Sequence, residues 1–185
     1  MSGLPVVPRL VAVVVLAGLT LWFGWLAQAP LKGGPFRIVR LELAPDVASA
    51  NVFLDAWRGF EPPSGDRFGD WVARLQTAQA WDTWLICAYA PLFALLCWCA
   101  AEHFTADFRQ LAAAGRVLAA LQLVAGALDF VENAGLNKMI ARGVAEEPWP
   151  VIASTASGAK WVLLIAFAVY VTGAAVHWGV GLIYR

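Results

Sequence analysis

Four stretches of this chain stay apolar for about twenty residues at a time, a run length that limits its folds more than any other feature. At about 1.5 Å rise per residue, a helix of that length matches the roughly 30 Å hydrocarbon core of a bilayer. The stretches run over residues 10–29, 81–101, 116–136 and 156–178. Each ends in charge, in Pro or Gly, or in aromatic residues suited to a membrane–water boundary, such as Trp22 and Trp25 or Trp178 and Tyr184. Charged residues make up 14% of the chain, against about 25% in ordinary soluble domains. The fold class read from this is an all-α integral membrane protein. It is a four-transmembrane-helix bundle forming a single domain over residues 1–185, with a long capping first loop.

The first stretch could be taken for a secretory leader, because Ala27-Gln28-Ala29 has the form of a cleavage site. Its apolar run exceeds the usual ~7–15 residues of a leader's core, and Pro30 would follow the cut. A retained anchor is expected. If the chain starts in the cytoplasm, the inner segments hold Arg9, Arg109, Arg116 and Arg185. The outer segments then hold Lys32, Arg37, Arg40, Arg58, Arg67 and Arg74, with Lys138 and Arg142. Long segments translocate with little regard to charge, so the expectation is both termini cytoplasmic.

Residues 30–80 form the only sizeable segment outside the four stretches. Residues 36–43 (F-R-I-V-R-L-E-L) are rich in β-branched and apolar side chains and suggest a short strand. Pro45 and Asp46 suit a helix start, and Val47, Ala50, Leu54 and Trp57 then share one helical face. Glu61-Pro62-Pro63-Ser64-Gly65 breaks the chain. Over residues 67–80, Phe68, Trp71, Val72, Leu75 and Ala78 make an apolar stripe, with Asp70, Arg74 and Gln76 elsewhere. That pattern is an amphipathic helix, lying in the interface or covering the bundle.

The third stretch carries the strongest chemical signal. Asp129, Glu132 and Asn133 are spaced i, i+3, i+4 and so share one face, which Gln122, Ala125 and Gly126 continue. A polar, small-residue stripe of this kind points into a bundle. Counted from Lys138, Asp129 lies about 13 Å inside, where an unpaired carboxylate costs about 2.5–3.5 kcal/mol on insertion scales. It needs a partner or a proton, and Lys160 near the start of the fourth stretch reaches a similar depth. Asp82 and Tyr89, seven residues apart in the second stretch, converge toward the same side. With acids outnumbering the single base, one carboxyl is expected to keep its proton. The same groups would also serve a purely structural network that fixes helix register.

With these residues the chain resembles a set of small bacterial four-helix membrane proteins. Their pattern places Glu-Leu-Ala after the first span, an Asp and a Tyr in the second, Leu-Asp-x-x-Glu-Asn in the third and a Lys-aromatic pair in the fourth. Here these are Glu42-Leu43-Ala44, Asp82 with Tyr89, Leu128 to Asn133, and Lys160-Trp161. The chain departs from the pattern with Asp82-Thr83 in place of Asp-Phe. The resemblance covers most of the sequence from Arg40 onward. It implies a bacterial inner-membrane location and adds Glu42 to the polar set, which requires the loop to fold down onto the bundle. It implies no particular activity.

Other chemistries find little support. Cys87, Cys97 and Cys99 make no CxxC pair and read as small packing residues. His103 and His177 are separate in sequence, and no HExxH or Glu-x-x-His motif accompanies them, so neither metal nor cofactor is expected. Ser154, Thr155 and Ser157 read as caps of the fourth helix. Formal net charge is zero, and nothing points to nucleic acid. Trp81, Trp84 and Trp161 could surround a cationic ligand, although belt placement is the commoner use of Trp. The leading expectation is a membrane protein whose Asp82, Tyr89, Asp129, Glu132, Asn133, Lys160 and Glu42 bind a lipid or other small amphiphile, or relay protons. One alternative is an enzyme acting on a lipid or isoprenoid, with Glu132 or Asp129 as general acid/base. Another is an accessory subunit whose cluster only fixes helix packing. Expected partners are membrane lipid and either another membrane protein or a second copy.

Overall fold

The computed structural model describes residues 6–61, 68–104 and 108–183. Residues 62–65 of the expected break, together with Arg67, Asp107, Tyr184 and Arg185, lie outside that set. The described residues form helices and turns, with no strand among them. In chain order the helices are α1 (Val6–Gln28), α2 (Val39–Glu42), α3 (Val47–Arg58), α4 (Trp71–His103), α5 (Arg109–Arg142) and α6 (Trp149–Ile183). The first, fourth, fifth and sixth are long and apolar enough to cross a membrane; α4, α5 and α6 each contain one of the apolar stretches, and α1 contains all of the first but Ala29.

The helix starts follow local chemistry. Asp46 caps α3, its carboxylate accepting the Ser49 N–H at 2.7 Å. That bond holds this exposed carboxyl below its usual range. Asp70 does the same for α4 through the Ala73 N–H at 2.9 Å. The expected cap at Ser154, Thr155 and Ser157 is not formed, because α6 already begins at Trp149. Those residues lie inside the helix, where Ser154 bonds back to the Val151 carbonyl.

Two expectations for the loop are corrected. Residues 36–43 do not form a strand but a turn leading into α2. A lone strand leaves its backbone groups unpaired, whereas a helical turn closes its own bonds and buries Leu41 completely. The amphipathic segment after the break is not a separate helix, and of its two expected roles the packing of Leu75, Trp71 and Val72 into the core supports the covering one. From Trp71 it is the first part of α4, since no Gly or Pro intervenes between Asp70 and Tyr89 to end the helix. Its inner face also differs from the expected one: Arg74 is 1% exposed. The guanidinium lies over Phe60 and Phe68 and donates to the Lys32 carbonyl at 3.2 Å.

α4, α5 and α6 all run past their apolar stretches at the end where the loop sits. These extensions and α2–α3 enclose a core in which Leu41, Phe53, Leu54, Trp57, Leu75, Leu136, Met139 and Ile140 are wholly buried. Trp57 anchors it, with its indole N–H donating to the Phe36 carbonyl at 3.2 Å. A Cβ at Gly34 would fall 2.1 Å from the Trp57 ring, so only glycine fits there. Asn51 ties α3 to the α5–α6 turn by accepting the Ala145 N–H at 2.8 Å. The cap is therefore a packed unit continuous with the bundle.

Within the bundle α4 and α5 are central, with α1 against α4 and α6 against α5. α5 approaches α4 closely at Gly126, where a Cβ would come within 2.8 Å of the Ala90 side chain. At the uncapped end, Arg9 of α1 pairs with Glu102 of α4. The two histidines, far apart in sequence, meet there: His103 Nε2 and His177 Nδ1 are 3.1 Å apart.

Candidate functional site

The polar stripe of α5 faces inward along its whole length. Gln122 and Ala125 are fully buried, and Asp129, Glu132 and Asn133 are nearly so. Bare carboxylates there would each cost several kcal/mol in lost hydration. Lys160 of α6 answers two of them, its ammonium standing 2.7 Å from Asp129 Oδ1 and 2.7 Å from Glu132 Oε2. The second oxygen of Asp129 accepts the Tyr89 hydroxyl at 2.5 Å. Asn133 Nδ2 donates to Asp82 Oδ2 at 2.6 Å. One network thus joins α4, α5 and α6.

The cap completes it. Glu42, at the end of α2, stands within electrostatic reach of Glu132, Asp82, Asp129 and Lys160. Burial pushes the Glu42 carboxyl up to about 7, and nearby Asp82 and Asp129 push the same way while Lys160 opposes them. The loop folds onto the cluster as the inclusion of Glu42 requires.

Beside the network lies a cavity of about 550 Å³. It is lined by the charged Arg37, Glu42, Asp82, Asp129 and Lys160 and by the apolar Ile38, Val39, Leu85, Phe93, Trp161 and Leu164. Tyr89 also lines it, while α1 contributes Thr20 and Gln28. Phe93 packs against both Tyr89 (5.3 Å) and Phe167 (4.2 Å) in an aromatic column joining α4 and α6.

Of the seven residues expected to form the site, Glu42, Asp82, Tyr89, Asp129 and Lys160 reach this cavity. Glu132 and Asn133 do not line it; they hold Lys160 and Asp82 from behind. The three tryptophans do not gather into a cage. Trp161 lines the cavity, its ring centroid 5.8 Å from the Lys160 ammonium. Trp81 and Trp84 instead pack on Phe23 of α1, each at 6.3 Å.

Arg37, Thr20 and Gln28 are lining residues that the polar stripe of α5 does not point to. A signal for two of them exists in the sequence: Thr20, Gly24 and Gln28 recur at four-residue spacing and mark one face of an otherwise apolar helix. Arg37 carries no such mark.

Fold and cluster together define a class: an all-helical protein with four helices able to cross a membrane and a charged cavity beneath its cap. The sequence matches no protein-family model, and no curated protein or solved structure matches the chain.

Proposed function

We propose that this chain is an integral membrane protein that binds an amphiphile, with the polar end of the ligand at the charged cluster and its hydrocarbon along Leu85, Phe93 and Leu164. The observation that carries this is the cavity itself, which brings the charged side chains of cap and cluster together with the apolar Leu85, Phe93 and Leu164. Ligand sites commonly have this form, with apolar walls and a few converging polar groups that set orientation. The membrane assignment is supported by the outer surfaces. Leu10, Val14 and Leu21 of α1 are 63%, 62% and 76% exposed, and Val162, Ile165 and Val169 of α6 are comparably bare. Apolar faces of that extent are unstable against water and suit lipid tails. We place the protein in a bacterial inner membrane, with both ends of the bundle chain inside and the cap outside.

A second reading, in which the network only locks the helices, has its own support in Lys160, held between two carboxylates of α5. Asp129→Asn separates the two. This variant keeps the shape of the side chain and one of its two acceptor positions while removing the charge that faces the cavity. Wild-type protein purified in mild detergent should carry a bound amphiphile, detected by mass spectrometry of the extract. Asp129→Asn should lose that ligand while keeping a cooperative melt. A wild-type preparation free of any stoichiometric amphiphile would contradict the binding reading. Retention in Asp129→Asn at the wild-type level would favour the structural one.

A further inference from the structure

We infer that the polar group held in this cavity is a protonated amine, an inference that rests on the amphiphile reading and narrows it. The charge of Lys160 is already compensated, because its ammonium lies 2.7 Å from both Asp129 and Glu132. Among the described residues Asp82 accepts a single hydrogen bond, from Asn133, and it lines the cavity. Glu42 lines the cavity beside it. The carboxyls gathered here, Glu42, Asp82 and Asp129 at the cavity and Glu132 behind them, outnumber the one ammonium among them.

An anionic group entering here would meet Asp82 and Glu42, with the one ammonium of the cluster already held by two carboxylates. Like charges in a partly buried site repel one another. An ammonium group brings the missing positive charge and three N–H donors, which Asp82 and Glu42 would accept. The Trp161 ring, which lines the same cavity, offers a cation a further favourable surface. Arg37 stands at the exposed rim of the cavity. A phosphate placed outside the amine would meet its guanidinium. The shared chemistry is therefore a primary ammonium on a hydrocarbon chain, supplied by an aminophospholipid or by a free alkylamine.

Native mass spectrometry on the full chain in dodecyl maltoside tests this, since the neutral sugar detergent competes in excess. Dodecylamine and dodecanoate are added in parallel. Dodecylamine should be retained at one per chain, with a Kd about tenfold or more below that of dodecanoate. Asp82→Asn should weaken dodecylamine by about tenfold and leave dodecanoate no weaker. Equal or tighter retention of dodecanoate by the wild type overturns the amine while leaving amphiphile binding intact. Undiminished dodecylamine affinity in Asp82→Asn also overturns it. Retention of neither probe, nor of the detergent, means the amphiphile reading itself has failed. Phosphatidylethanolamine retained over phosphatidylglycerol identifies the lipid as the source, and retention of dodecylamine alone identifies a free amine. The comparison of charges on the wild type stands even if the variant does not fold.

Discussion

Lys160 keeps its charge among buried groups because two carboxylates converge on it from one helix. Removing it leaves Asp129 and Glu132 facing each other without a counter-charge, the situation in which breaking a buried pair costs about 3–5 kcal/mol. Lys160→Met should lower stability by that order in detergent, read by thermal or denaturant unfolding. Adding Asp129→Asn should recover part of the loss, because one of the stranded charges goes with it. A Lys160→Met protein as stable as the wild type would mean the contacts are not energetically coupled. Glu42 yields a different prediction. Its carboxyl is raised from 4.5 to about 7, so the folded state binds a proton that the unfolded chain has released. Stability from this group is complete below pH 4.5 and is lost as pH rises through about 7. The melting temperature should therefore fall over that window, and Glu42→Gln should flatten the fall. A wild-type profile that climbs from pH 5 to 7 would contradict the assigned proton. At this scale the sequence was informative where spacing alone decides orientation. Asp129, Glu132 and Asn133 on one helical face had to turn inward as a set. Arg37 and the lining role of α1 were not legible, because a cavity wall is set by how helices lean together, and a single arginine before a turn has no periodicity.

The elements show where local pattern misleads. Residues 36–43 have strand-like composition, yet a strand needs a neighbour and the chain offers none, so the segment curls into α2 and buries Leu41. In α4 the amphipathic and the apolar parts are one helix, because polarity changes along it while helical propensity does not. A hydropathy window reports where a helix is apolar, not where it ends. That is why α4, α5 and α6 each extend beyond their stretches into the cap. Their packing depends on small residues at close approach. Gly126→Leu would set a large side chain where even a Cβ meets Ala90 at 2.8 Å, forcing α4 and α5 apart. Overpacking of this kind typically costs about 1–3 kcal/mol. Because Tyr89 on α4 bonds Asp129 on α5, that separation should also reduce ligand retention, measured beside the melt. The cap should respond to Trp57→Ala, which empties the centre of its core at a cost of about 3–5 kcal/mol. Faster proteolysis confined to the segment between α1 and α4 would be the expected signature.

Across the whole molecule, the alternation of the four long helices places all of α2 and α3 at one end and the α4–α5 connection at the other. Arg58 of α3 donates to the Gly143 carbonyl at the capped end, while Arg9 pairs with Glu102 at the opposite end. The charged cluster lies where the apolar shafts meet the cap, since Asp82 and Lys160 come soon after their stretches begin and Glu132 shortly before its own ends. A site at that depth lets a polar headgroup stay near water while its chain lies among tails, which is the geometry an amphiphile requires. The arrangement predicts which surfaces share a side of the membrane. In a background without Cys87, Cys97 and Cys99, Asp55→Cys on the exposed face of α3 and Gln110→Cys at the start of α5 report opposite ends. An impermeant maleimide should label Asp55→Cys on intact cells and Gln110→Cys only after permeabilisation. The reverse pattern would place the cap inside and leave the four crossings unchanged. Labelling of both from the same side would break the alternation, and with it the idea that the cluster sits beneath a cap on a spanning bundle.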